Sequence, residues 1–99
     1  MKRGYVYIMS NKYHTTLYIG VTSDLIHRIK EHRDRIHKNS FTAKYNLMQC
    51  IYFEYHDSID VAIAREKQIK KWRREKKDKL IKSMNPLLED LSSRIKYRF

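Results

Sequence analysis

The sequence predicts a small α/β domain in which two strands close a hairpin and a helix, a third strand and two more helices follow. Three observations carry this. Tyr5-Val6-Tyr7 and Tyr18-Ile19-Gly20 alternate like strands on either side of a polar loop; Thr22-Ser23-Asp24 and Asp57-Ser58 are capping sequences, each followed by apolar residues at helical spacing; and residues 48–55 are dense in Ile, Tyr and Phe.

In the first strand Tyr5, Tyr7 and Met9 point one way and Val6 and Ile8 the other. In the second, Leu17, Ile19 and Val21 oppose Tyr18 and Gly20, and the turn formers of residues 10–16 close the pair. Such a pairing can bring Tyr7 and Tyr18 onto one face, although two tyrosines packed on a small core would read the same way. The first helix opens at the hydroxyl and acid caps, and Leu25, Ile29 and Ile36 extend it to about Asn39. Residues 39–46, rich in Asn, Ser and Thr, read as a loop carrying Lys44. A third strand covers 48–55, a second helix runs from about 59 to 72, and a last one from about 74 to 84, where Asn85-Pro86 stops it. The tail, 87–99, keeps apolar residues and either packs or frays.

At 99 residues the chain is expected to be one domain, residues 1–99. Its 22 Lys and Arg against 11 acids give +11, a balance that points to a polyanion and away from basic substrates. Residues 65–82 alone hold ten basic residues against Glu66, Glu75 and Asp78, a net +7. No apolar run approaches the roughly 18 residues of a membrane span, so a cytoplasmic, monomeric protein without a membrane partner is expected. Cys50, inside a strand pattern, reads as a small core residue.

Glu66 is the main anomaly. The stripe Ile59, Ala62, Ile63, Ile69 is apolar, and the helical period sets Glu66 squarely upon it. A carboxylate there must be paired or must hold a metal. Arg65 or Lys70 would serve as partner; Mg²⁺, which often takes one or two protein carboxylates and fills its shell with water and phosphate oxygens, is the sharper reading. On the first helix Arg28 and His32 lie one turn apart at the border of the apolar face, either as a solvated flank or directed toward the strands. His27, His32 and His37, five apart, would be scattered around a continuous helix, which argues against zinc.

Taken in order, Tyr5-Val6-Tyr7, Tyr18-Ile19-Gly20, Arg28, His32, Lys44, Glu66 and Asn85-Pro86 resemble the GIY-YIG endonuclease domain, most closely the small stand-alone bacterial proteins that are little more than that domain. The resemblance covers nearly the whole chain. It implies a three-stranded antiparallel sheet flanked by helices and Mg²⁺-dependent (or Mn²⁺-dependent) hydrolysis of a DNA phosphodiester, with RNA left open as a substrate. It further implies that Tyr7 and Tyr18 line the site, that Arg28 faces the scissile phosphate and that Glu66 holds the metal. The residues themselves are suited to this: an arginine donates two hydrogen bonds to a phosphate oxygen, and either Tyr18 or His32 could take the proton of the attacking water. Lys44 could contact substrate, and Lys70, Lys71, Arg73 and Arg74 would supply phosphate contacts without reading bases.

Two departures from the family pattern bear on this. Tyr5 stands where the first tripeptide has glycine, with Gly4 just before it, and leaves the Tyr7 phenol unaffected. Val21 stands where some relatives have a lysine three residues after Tyr18, which raises the standing of His32 as the base. The competing reading is a nucleic-acid-binding protein of the same fold with little or no catalysis.

Overall fold

The computed structural model describes residues 2–96. β1 (Gly4–Ser10) is the middle of a three-stranded antiparallel sheet of order β2-β1-β3, with β2 (Leu17–Thr22) on one side and β3 (Gln49–His56) on the other. All seven residues of β1 are buried. A central strand covered on both faces has no solvent side, which is why tyrosine and methionine alternate here with valine and isoleucine.

The two faces have separate cores. Tyr5, Tyr7 and Met9 pack with Leu25 and Ile29 of α1 (Leu25–Arg33) and with Ile95 of α5 (Ser92–Lys96). Val6, Ile8 and Ile19 pack with Ala62 and Ile69 of α3 (Ile59–Lys70) and Ile81 of α4 (Arg74–Met84). The expected caps form: Asp24 accepts the His27 N–H at 3.2 Å and Ser58 accepts that of Asp60 at 3.2 Å. The hairpin loop is organised by Asn11, whose side-chain carbonyl accepts the N–H groups of Thr15 and Thr16.

Two expectations are corrected and a third, left open, is decided. First, α1 stops at Arg33, well short of Asn39, and Ile36 is exposed. The helix ends there in a two-bond cap: Arg35 adopts φ 50°, its N–H reaches the His32 carbonyl at 3.3 Å, and the Ile36 N–H reaches that of Glu31 at 3.2 Å. No apolar residue between Ile29 and Ile36 gives a longer helix anything to bury, and no glycine marks the stop in the sequence. Second, the supposed loop around Lys44 contains a short helix, α2 (Phe41–Lys44), capped by Ser40 and closed by the same kind of cap at Asn46, φ 57°.

Third, the tail packs. Leu91 and Ile95 are buried, the Leu91 N–H donates to the Cys50 carbonyl at 2.7 Å, and α5 lies on α1; residues 97–99 fall outside the described residues. The tail is held by Asn85, nearly fully buried, whose amide nitrogen donates to the Ile51 carbonyl at 3.0 Å and to that of Glu89 at 2.8 Å. Ile51 needs this donor because a bulge between Ile8 and Met9 drops it from the register with β1.

Candidate active site

The site is built on a cross-strand pair. Tyr7 lies directly opposite Gly20, and its ring occupies the space above that residue: a Cβ on Gly20 would come within 2.4 Å of the Tyr7 ring. The second tripeptide ends in glycine for that reason. Tyr18, two residues earlier on the same face, puts its ring 6.2 Å from that of Tyr7. His32 completes a triangle, 5.6 Å from the Tyr7 ring and 5.7 Å from Tyr18.

Hydrogen bonds fix two corners of this triangle. The Tyr7 hydroxyl bonds His32 Nε2 at 3.0 Å, His32 Nδ1 bonds the Thr42 hydroxyl at 3.0 Å, and Thr42 bonds Ser40 at 3.1 Å. Each hydroxyl can donate or accept, so the chain can be satisfied in either direction, according to the His32 tautomer. Burial, reinforced by Tyr18, pushes the fully buried Tyr7 phenol well above the usual tyrosine value, against the opposing effect of Arg28. Burial likewise holds His32 below its ordinary 6.5, and the Arg28 charge adds to the shift while Glu31 opposes it. At neutral pH the pair is therefore an uncharged phenol on an uncharged imidazole.

Toward solvent the triangle opens into a pocket of about 230 Å³ whose wall includes Tyr18, Arg28, His32, Phe41 and Thr42. Arg28 is half-buried and pairs with Glu31 at 3.2 Å; Glu31 also draws in His37 at 3.5 Å and His27 at 4.0 Å. The three histidines of this region are thus divided, with His32 turned inward and the other two gathered on Glu31. Glu66 is carried by α3, the helix packed on the valine–isoleucine face of the sheet; it is buried on the stripe of Ala62 and Ile69 as its spacing predicts, and its carboxylate pairs with Lys70 at 2.6 Å. Arg65, the other partner considered for it, goes to Glu54 at 2.8 Å. α3 packs over β1 and the edge strand β2, and among the described residues no hydrogen bond or ion pair joins Glu66 to the tyrosine–histidine triangle.

A family model described as the GIY-YIG catalytic domain matches residues 3–79. The chain belongs to the GIY-YIG family. It is 36% identical over 88 residues to a UPF0213 protein from Syntrophus aciditrophicus (strain SB), covering 87% of this chain and 97% of that one. A UPF0213 protein from Haloquadratum walsbyi (strain DSM 16790 / HBSQ001) is 36% identical over 76 residues, 77% of this chain and 83% of that one. The solution NMR structure of a UPF0213 protein from Bacillus halodurans superimposes with a TM-score of 0.57 at 25% identity, over 92% of this chain and 95% of that one.

Of the residues that the GIY-YIG pattern singles out, the fold brings Tyr18, Arg28 and His32 to the wall of one pocket, seals Tyr7 against His32 behind them, and carries Glu66 on α3. Among the described residues no group of three or more His, Cys, Asp and Glu could hold a metal, so a cage made wholly of protein is not what this chain offers. One buried carboxylate whose cationic partner is half exposed does fit a hard cation that keeps most of its shell as water and phosphate oxygen.

Lys44, Lys70, Lys71 and Arg73 are exposed. Arg74 is engaged otherwise: it pairs with Asp78 at 2.9 Å and donates to the Thr15 carbonyl at 3.2 Å and to that of His14, tying the hairpin loop to the start of α4. Ser40 and Thr42 are the site residues that sequence reasoning missed. The available signal was Ser40 as a capping residue three positions before Ala43, whose N–H it accepts at 3.3 Å.

Proposed function

We infer that this GIY-YIG protein is an endonuclease that hydrolyses DNA phosphodiester bonds with a divalent cation, Mg²⁺ or Mn²⁺, held through Glu66. The observation that carries the reading is the convergence of Tyr7, Tyr18 and His32 on a pocket whose wall includes a reachable arginine. Phosphodiester hydrolysis needs a water stripped of a proton, positive charge on the phosphoryl oxygens and relief of the charge left on the departing oxygen. A divalent cation, when bound, supplies charge to the phosphate and to the leaving oxygen.

The chain's own groups divide the remaining work. Arg28, now paired with the Glu31 carboxylate, offers a planar fork of N–H donors to a non-bridging oxygen whose charge grows in the transition state. Both ring nitrogens of His32 are engaged, and Tyr7 is sealed from solvent. Tyr18 is the partly exposed hydroxyl residue of the triangle and lines the pocket. Tyr18 therefore meets the attacking water and, once its own hydroxyl proton has passed to solvent, takes the water's proton, while His32 and Tyr7 hold the Tyr18 ring in place. Lys44, Lys70, Lys71 and Arg73 add contacts to the phosphate backbone, which DNA and RNA share.

The Lys70 ion pair favours a competing reading, in which Glu66 is a structural partner and the fold binds nucleic acid without cutting it. Single-turnover cleavage separates the two. Arg28→Ala and Tyr18→Phe should each slow the reaction by roughly 10² or more, with binding in EDTA little changed, because each removes a group that acts on charge or a proton in the transition state. Both variants cutting at the wild-type rate would leave the pocket without a catalytic role.

A further inference from the structure

We propose that Phe41 and Tyr45 form a stacking platform for an unpaired nucleobase next to the scissile phosphate, so that the substrate is DNA with a single-stranded or flapped segment. This rests on the reading of the neighbouring pocket as the phosphate site.

The two rings lie 4.7 Å apart at 43° on α2 and the residue that caps it. They are 47% and 53% exposed, and Tyr55 and Tyr13 are exposed as well; what sets this pair apart is that the two rings pack on each other beside the pocket that Phe41 lines. The helix beneath them is fixed. Thr42 is buried and bonded to His32, Ser40 caps the first turn, Leu47 is fully buried and its N–H donates to the Thr42 carbonyl at 2.8 Å. The exposure is thus a property of an anchored element. Phe41 also lines the pocket that holds Tyr18, Arg28 and His32, so a strand whose phosphate meets Arg28 lays its next base over these rings.

Charge selects the occupant. The rings are interleaved with Lys44 on α2 and with Arg28 and Arg35 in the pocket wall, on a chain of net +11, which suits a polyanion bearing flat apolar bases. In a paired duplex those base faces are already stacked on one another, so only an unpaired nucleotide can use the platform.

Binding in EDTA tests this without cleavage. Three fluorescently labelled DNAs of one length are compared: a single strand, a blunt duplex and a duplex with a short flap. Phe41→Leu combined with Tyr45→Leu should weaken binding to the single strand and the flap by about tenfold or more and to the blunt duplex by less than about twofold, since stacking on aromatic residues favours exposed bases. The ring-preserving pair Phe41→Tyr with Tyr45→Phe should bind all three like the wild type. Equal loss on all three DNAs, or no loss on any, overturns the platform. Should the leucine variant fail to fold, a 2-aminopurine placed in the flap reports on the wild type: quenching on binding supports stacking and unchanged fluorescence overturns it. Failure of the nuclease reading looks different, because a wild type that prefers flaps and never cuts keeps the platform, whereas one that cuts with variants that bind normally loses it.

Discussion

Gly20 shows how a single residue sets the site. Glycine is required there by the Tyr7 ring lying over it, and its backbone adopts no positive φ. Gly20→Ala should lower stability by about 1–3 kcal/mol in urea denaturation, because the added methyl must displace a fully buried ring, and should cut activity by moving the Tyr7 hydroxyl off His32. An alanine variant as stable and active as the wild type would show that the ring is free to move. His32 gives a test in pH. Its folded-state pKa lies below 6.5, so below that pH the unfolded chain takes up a proton that the folded chain refuses. The stability tied to a neutral His32 is present above pH 6.5 and is lost as the pH falls. His32→Gln should therefore flatten the fall in Tm between about pH 7 and pH 5 relative to the wild type, and parallel curves would contradict a buried neutral imidazole. Strand alternation and the four-residue helical step allowed Tyr7, Tyr18, Arg28 and His32 to converge, and the family resemblance, not the spacing, chose this over a packed core and a solvated flank. Thr42 was not legible in the sequence, because what brings it to His32 is the path of the chain between two helices.

At the scale of elements, the strands, the caps and α3 and α4 follow from local pattern, and the failures come where tertiary contact decides. α1 ends at a left-handed arginine that no propensity announces, and this early stop lets the chain fold back so that α2 can support His32. α5 was ambiguous because five residues cannot form a stable helix alone; it holds through Leu91 and Ile95 against the tyrosine face of the sheet. Asn85 is its anchor. In the sequence Asn85-Pro86 is only a helix stop, whereas in the fold the buried amide satisfies the carbonyl that the bulge in β3 leaves unpaired. Asn85→Leu should cost about 1–3 kcal/mol in chemical denaturation, from one or more unsatisfied buried groups, with protection of the Leu91 amide against hydrogen exchange lost early. A variant as stable as the wild type would mean that the tail is held by its apolar residues alone.

For the whole molecule, the sheet separates two kinds of surface. One face carries the ring triangle and the arginine pocket; the other carries Glu66 and leads to the exposed lysines and arginines of α3 and its C-terminal turn. Charge and composition were legible as a preference for polyanions, and no helix among the described residues is long and apolar enough to cross a membrane. That α1 packs on the tyrosine face of the sheet and α3, with Glu66, on the valine–isoleucine face was not legible from spacing, since tertiary contact decides the face each helix covers. The direct test of the Glu66 reading is single-turnover nicking of supercoiled plasmid DNA by the wild type and by Glu66→Gln, titrated with Mg²⁺ and repeated in EDTA, alongside the melting temperature of each protein. Nicking by the wild type should saturate with Mg²⁺ and vanish in EDTA, while the Glu66→Gln protein should fold, bind the plasmid and fail to nick it. Nicking by the variant at the wild-type rate, or nicking indifferent to EDTA, would contradict that reading.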